Sequence, residues 1–259
     1  MKVLITGGNG YIAKSISKYF SNFYKVISLG RDILDLTDKE AVDDFFAKQQ
    51  FDVVIHTAIK GGCRLTKDTD TVFADNILMM KHLYNHREKF KKLINFGSGA
   101  ETYNPESPYG SSKKWCNDLV QKTKNWSTLK LYGVFDANEK RTRFIKSNIY
   151  KYINREAQII HQDKYMDFIY MDDLINLTNH YVISDNLPKI IECVYPEKIL
   201  LSEISNIINN LDSHRVKIEI ENLDKGLSYV GNGSVLKDLN LNLIGLEKGI
   251  ESTYIALKK

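Results

Sequence analysis

The sequence predicts a doubly wound parallel α/β sheet followed by a small C-terminal α/β region. Three observations carry that expectation. The chain opens with an apolar run, a glycine turn and a helical face; apolar runs and helical segments then alternate; and the alternation loosens after Asp136. Alternating strands and helices call for a parallel sheet covered on both faces. In order, Val3-Leu4-Ile5 reads as a buried strand, 6–10 as the turn, and Ile12 and Ile16 as the start of a helix. Further strands are expected at 24–29, 53–56, 93–96 and 129–134, separated by helices at 39–49, 71–87 and 109–124 with apolar residues at three-to-four spacing. Beyond them come a helix at 144–154, a strand at 158–161, a short strand leading into a helix within 166–183, a helix at 201–211, a strand at 216–220 and a last helix from Leu246. On this reading 1–135, rejoined by 167–184, form the sheet domain, and 136–166 with 185–259 form the smaller one. There is no internal repeat or low-complexity segment.

At 259 residues and 43% hydrophobic, the chain can bury a full core, and its length suits one large domain with an appendage. The net charge of +4 comes from 36 basic and 32 acidic residues that are interspersed, which gives no support to a nucleic-acid partner. The 3 cysteines (Cys63, Cys116, Cys193) are odd in number, widely spaced and without a zinc-ligand pattern, so they read as reduced thiols, and no metal is expected. No signal-peptide pattern and no apolar run near ~18 residues is present, so the expectation is a soluble cytoplasmic protein with no membrane partner.

Strand, glycines, helix is the order of a phosphate cradle, although a tight turn can need glycine for backbone reasons alone. Gly7 permits the turn, Gly10 lets backbone N–H groups approach a pyrophosphate, and the helix from Tyr11 points its positive end at that anion. Ala13 supplies the small residue that lets helix and strand pack closely. Asn9, Tyr11 and Ile12 complete the candidate cofactor contacts of the turn. After the second strand stands Arg31, able to pair with a ribose 2′-phosphate, whereas an acidic residue there would accept the ribose hydroxyls of NAD. Asp32 follows it, and Asp35-Leu36 are expected near the adenine. NADP is therefore favoured, with NAD the alternative.

Tyr109 and Lys113 stand one helical turn apart on one face. With 15 tyrosines such a pair arises by chance, and Tyr254 with Lys258 is a second instance, read as a packing or surface pair. Position singles out the first: its helix follows the fourth strand, which ends in Asn95-Phe96-Gly97-Ser98-Gly99. Together with the glycine turn, Ser98, Tyr109 and Lys113 resemble the extended, nucleotide-sugar branch of the short-chain dehydrogenase/reductase superfamily, whose nucleotide-binding half is a Rossmann-type fold. Asp52 to Ala58 is similar to the family's third strand, Asn76 to a frequent asparagine of its next helix, 167–173 to a segment of the extended branch, and 245–250 to its C-terminal helix. The resemblance implies that 1–135 with 167–184 bind a dinucleotide, and that the smaller domain binds substrate.

Ketone reduction needs a hydride and a proton for the nascent alkoxide. The assignment is Tyr109 as proton donor, Lys113 as its electrostatic tuner and ribose anchor, and Ser98 as a hydrogen-bond donor to the substrate oxygen. Ala58 and Lys60 join the cofactor set; Ser98, Gly99, Arg143 and Lys60 form the substrate set. The runs 30–37 and 58–62 and Phe96-Gly97-Ser98 are most similar to GDP-fucose synthase-like 4-keto reductases. Where those enzymes carry a cysteine and a histidine for epimerisation, this chain has Ala100 and Arg143. That leaves reduction of a nucleotide-linked 4-keto-6-deoxyhexose as the expectation. The alternatives are a 4-epimerase with tightly bound NAD, a non-enzymatic dinucleotide sensor, and a reductase of a small carbonyl metabolite. A homodimer through the helices at 71–87 and 109–124 is implied by the resemblance.

Overall fold

The computed structural model describes residues 1–63 and 66–258. Its first half runs β1 (Lys2–Thr6), α1 (Tyr11–Phe20), β2 (Lys25–Leu29), α2 (Lys39–Lys48), β3 (Phe51–His56), α3 (Thr71–Asn85), β4 (Phe90–Ser98), a short α4 (Ala100–Tyr103), α5 (Pro108–Lys122) and β5 (Trp126–Leu131). Then follow β6 (Val134–Phe135), α6 (Phe144–Ile153), β7 (Gln158–Gln162), β8 (Ile169–Tyr170), α7 (Met171–Ile183) and β9 (Ile190–Glu192). The chain finishes with α8 (Leu201–Asn209), β10 (Ile218–Asn222), α9 (Ser234–Asp238) and α10 (Leu246–Lys258).

Six strands form one sheet in the order β2-β1-β3-β4-β5-β9. β1 runs parallel to both β2 and β3, and β3 parallel to β4. The chain therefore steps from β1 to one side and later to the other, a reversal that opens a crevice beyond the carboxyl ends of β1 and β3. Val3, Leu4 and Ile5 are fully buried, as a parallel strand covered on both faces requires. One core joins Leu4, Val54 and Leu93 of the strands to Val42 and Phe46 of α2, Met80 and Leu83 of α3, and Cys116 and Val120 of α5. Two of these helices start on side-chain caps: Asp38 accepts from the Ala41 N–H at 3.1 Å, and Ser107 from the Gly110 N–H at 2.9 Å. The first turn of α1, by contrast, starts from Gly10 with no side-chain cap and no acidic residue.

The chain divides into two compact units, Met1–Lys130 with Leu177–Ile191, and Leu131–Asn176 with Glu192–Lys259. These bounds differ from the expected 1–135 with 167–184. The expected strand at 129–134 ends at Leu131, and β6 pairs instead with β8, the Ile169 N–H donating to the Gly133 carbonyl at 2.8 Å. Phe135, Phe168 and Tyr170 consequently feed the core of the second unit. β9, too short to stand out in the sequence, joins the sheet of the first unit. The Thr128 N–H donates to the Lys189 carbonyl, and Lys189 Nζ holds the Gln121 and Thr123 carbonyls. The second unit also has a parallel β7–β10 pair, and a core of Ile145, Ile149 and Tyr152 from α6, Leu201, Ile204 and Ile208 from α8, and Ile250 and Tyr254 from α10. Tyr254 and Lys258 both donate to Asp212, a packing and surface arrangement.

Candidate active site

The turn after β1 is drawn tight by backbone hydrogen bonds, Gly8 N–H to the Leu29 carbonyl and Gly10 N–H to the Gly7 carbonyl, each 2.8 Å. Gly7 sits at φ +70°, and a Cβ there would lie 2.7 Å from the backbone of Ala58. Only glycine suits that position on both counts, and the loops after β1 and β3 thereby meet. Beside them lies a cavity of about 220 Å³ that brings together Gly7, Asn9, Arg31, Asp35, Leu36, Ala58 and Lys60. Gly30, Leu34, Thr37, Ile59, Asp75 and Met79 complete its lining, contacts that no motif in the sequence singles out. Gly10, Tyr11 and Ile12 stand at the head of α1 and are not among the lining residues.

Charges in this cavity are held in pairs. Arg31 Nε lies 2.8 Å from Asp35 Oδ2, and Asp35 Oδ1 accepts from the N–H and hydroxyl of Thr37. Against the upward push of burial, the Thr37 and Arg31 hydrogen bonds hold the Asp35 carboxyl below its usual range. Asp32, the neighbour that complicates the cofactor reading, is taken by Asn9, whose Nδ2 donates to it at 2.8 Å. Lys60 Nζ donates to Asp75 at 2.5 Å and to Thr71 at 2.6 Å. Asn76 anchors this loop: its Oδ1 accepts from the Lys60 N–H, and its Nδ2 donates to the Lys60 carbonyl and the Ser112 hydroxyl.

Ser98, Tyr109 and Lys113 belong to the same unit. Ser98 closes β4, and its Oγ accepts from the Ala100 N–H at 3.2 Å. Pro108 and the Ser107 cap start α5, which sets Tyr109 in its first turn and Lys113 one turn later. Lys113 is buried; its Nζ donates to the Phe96 carbonyl at 2.5 Å and stands 5.9 Å from the Tyr109 ring centroid. That ring lies against Gly62, at φ +73°, where a Cβ would fall 2.6 Å from Tyr109 Cε2. Burial pushes the Lys113 ammonium down, opposed by Cys116 and Glu101. His56, at the end of β3, is bonded through Nδ1 to Thr6 Oγ1 at 2.8 Å, and burial together with Lys113 pushes its imidazole down to about 3. Gly99 caps α4, while Arg143 belongs to the second unit, its Nε 4.0 Å from Glu139 Oε2.

The sequence model described as the NAD dependent epimerase/dehydratase family matches residues 3–189. No curated protein sequence matches the chain. Among solved structures, the chain is similar to MlghC, a GDP-mannoheptose C4 reductase from Campylobacter jejuni with NADP bound, at TM-score 0.85 and 16% identity, covering 100% of this chain and 98% of that one. A GDP-L-fucose synthetase from Naegleria fowleri gives TM-score 0.80 at 16% identity over 98% and 92% of the two chains. A UDP-glucose 4-epimerase from Thermus thermophilus in complex with NAD gives 0.77 at 17% identity over 98% of each. At these identities the likeness is one of fold. No helix among the described residues is long and apolar enough to cross a membrane.

Proposed function

The chain belongs to the NAD dependent epimerase/dehydratase family of extended short-chain dehydrogenase/reductase enzymes, and from that premise we propose that it is an NADP-preferring reductase of a nucleotide-linked 4-keto-6-deoxyhexose. The observation that carries the reading is the convergence of Tyr109, Lys113 and the end of β4 within one unit, Lys113 Nζ donating to the Phe96 carbonyl and standing 5.9 Å from the Tyr109 ring centroid. The cavity fits the adenosine half of a dinucleotide. Gly7 lets the two loops close to backbone contact, Arg31 and Lys60 stand at its wall, and α1 directs uncapped N–H groups toward the turn. When bound, the nicotinamide supplies the hydride. Tyr109 gives its phenolic proton to the oxygen at sugar C4, and Lys113 lowers the cost of the phenolate left behind. Ser98, oriented by the Ala100 N–H, donates its hydroxyl to the same oxygen. With Ala100 and Arg143 in place of an acid/base pair for carbon epimerisation, simple redox remains.

Arg31 supports the NADP preference, since Asp32 is held by Asn9 and the guanidinium is 67% exposed for a 2′-phosphate. A cytoplasmic homodimer belongs to this reading, with the mostly apolar groove of Phe73, Ala74, Ile77, Leu78, Lys81 and Trp115 on α3 and α5 in support of the dimer. The test is a panel of GDP-, dTDP-, UDP- and CDP-linked 4-keto sugars with NADPH absorbance followed. Oxidation with at least one sugar is expected. Co-purified NAD+ with isomerisation and no net NADPH consumption overturns the reading in favour of a 4-epimerase, and no oxidation with any sugar overturns it outright.

A further inference from the structure

Burial of Lys113 raises the question of what balances its charge. Around it, His56 on β3 is neutral, its imidazole pushed down to about 3, and the Cys116 thiol on α5 is pushed up to about 11 by burial, so neither carries charge near neutral pH. The acidic group that faces Lys113 is Glu101, in the first turn of α4 and 4% exposed at its side chain. Its Oε1 accepts from the Ser98 N–H at 2.8 Å. Its Oε2 accepts from Asn117 Nδ2 on α5 at 3.2 Å and lies 3.5 Å from Lys130 Nζ on β5. Gly97 makes the room, because a Cβ there would fall 2.7 Å from Glu101 Oε1. Burial pushes the Glu101 carboxyl up, and the Ser98 N–H, Lys130 and Lys113 pull it back. Two ammonium groups and one carboxylate thus share a site with little water, where removing that carboxylate leaves buried charge uncompensated.

We propose that Glu101 is a positioning residue: its carboxylate fixes the Ser98 turn through the Ser98 N–H and supplies the buried negative charge that keeps Lys113 an ammonium beside Tyr109. The inference rests on the reading of Ser98, Tyr109 and Lys113 given above, and adds to it a residue three positions beyond the serine. Glu101→Gln isolates the charge, since the amide oxygen can still accept from the Ser98 N–H.

The test follows the 13Cε resonance of Lys113 in the full-length protein, assigned by its loss in Lys113→Met, as pH is raised. In Glu101→Gln its titration midpoint should fall by about one pH unit, the order expected for loss of one unit charge from the same buried site at an effective dielectric of about 20. In Lys130→Met, where a neighbouring cation is lost, it should rise. An unmoved midpoint in Glu101→Gln overturns the proposal; if that variant does not fold, an unmoved midpoint in Lys130→Met does so. In a protein that turns over a 4-keto sugar, the alkaline limb of the kcat profile of Glu101→Gln should move to lower pH with the midpoint, a change that a merely structural role would not produce. Because the resonance needs no substrate, failure of the substrate panel and failure of this proposal are separate results.

Discussion

Both compact units clamp distant backbone with Asn side chains, Asn76 on Lys60 in the first and Asn148 on Ile159 in the second, but the strand-end loops of the first carry a further restraint. In the first, loops at the strand ends are fixed by close backbone approach and capped helices: Gly7 against Ala58, Gly62 against the Tyr109 ring, Asp38 and Ser107 at helix starts. In the second, buried Asp and Asn side chains grasp distant backbone. Asp173 accepts from the Ile244 and Gly245 N–H groups at 2.7 and 2.9 Å and from the Tyr195 hydroxyl. Asp167 accepts from the Gly231 N–H and Lys198; Asn148 clamps both backbone groups of Ile159, and Asn209 those of Val216. The first arrangement leaves a short loop little tolerance for side-chain size. The second ties together segments with short strands and no large sheet, and each tie stands on one side chain.

The contrast is sharpened most by Tyr109→Phe, which keeps the ring on Gly62 and removes only the hydroxyl. Turnover should fall by about 10²–10⁴-fold, the usual worth of general acid catalysis, while the melting temperature and cofactor affinity stay close to wild type. Retained turnover would remove the phenol from the chemistry. Acid titration of stability is next. His56 is neutral in the fold, with its pKa at about 3 against 6.5 in an unfolded chain, so the unfolded state takes up a proton that the folded state refuses. Its contribution is complete above pH 6.5 and is lost as pH falls toward about 3, at most roughly 4–5 kcal/mol. Urea midpoints measured across that range should decline, and less so in His56→Gln; parallel curves would refute the assignment. Third, Asp173→Ala should cost about 2–4 kcal/mol by stranding two N–H groups and a phenol. Hydrogen exchange should accelerate at Ile244 and Gly245 while the amides of β1 and β3 remain protected, and uniform acceleration would erase the distinction between the units. The smallest effect is expected from Arg31→Ser, about tenfold weaker NADPH binding with NADH little changed, read by fluorescence titration. Equal losses for both nucleotides would end the 2′-phosphate assignment.

The same contrast explains what could be read without coordinates. Gly7, Gly10 and Ala13 lie close together in sequence, and the order strand, turn, helix limits what they can do; Ser98, Tyr109 and Lys113 gain meaning from their place after one strand. Sequence pattern also placed the sheet, because parallel strands are continuous apolar runs. It missed β9, a strand of three residues, and it carried β5 too far, since Val134 continues the apolar run while the chain turns away at Gly133, packed on Phe168. Asp173 and its partners 71 and 72 residues away leave no periodic trace. Glu101 was within reach: an acid three residues past a strand-end serine, opposite a lysine already singled out, is a pattern that one could look for.

Between Ala58 and Gly62 the chain is a single short ribbon. One end, with Ile59 and Lys60, walls the cavity beside Gly7, and the other is the seat of the Tyr109 ring. Asn76 pins its middle through Lys60, and Asp68 pins its far end through the Gly62 N–H. A substitution that reshapes this wall therefore disturbs the seat of the Tyr109 ring in the same stroke. Variation should enter through Arg31 and its neighbours across the cavity, where a substitution leaves that seat untouched.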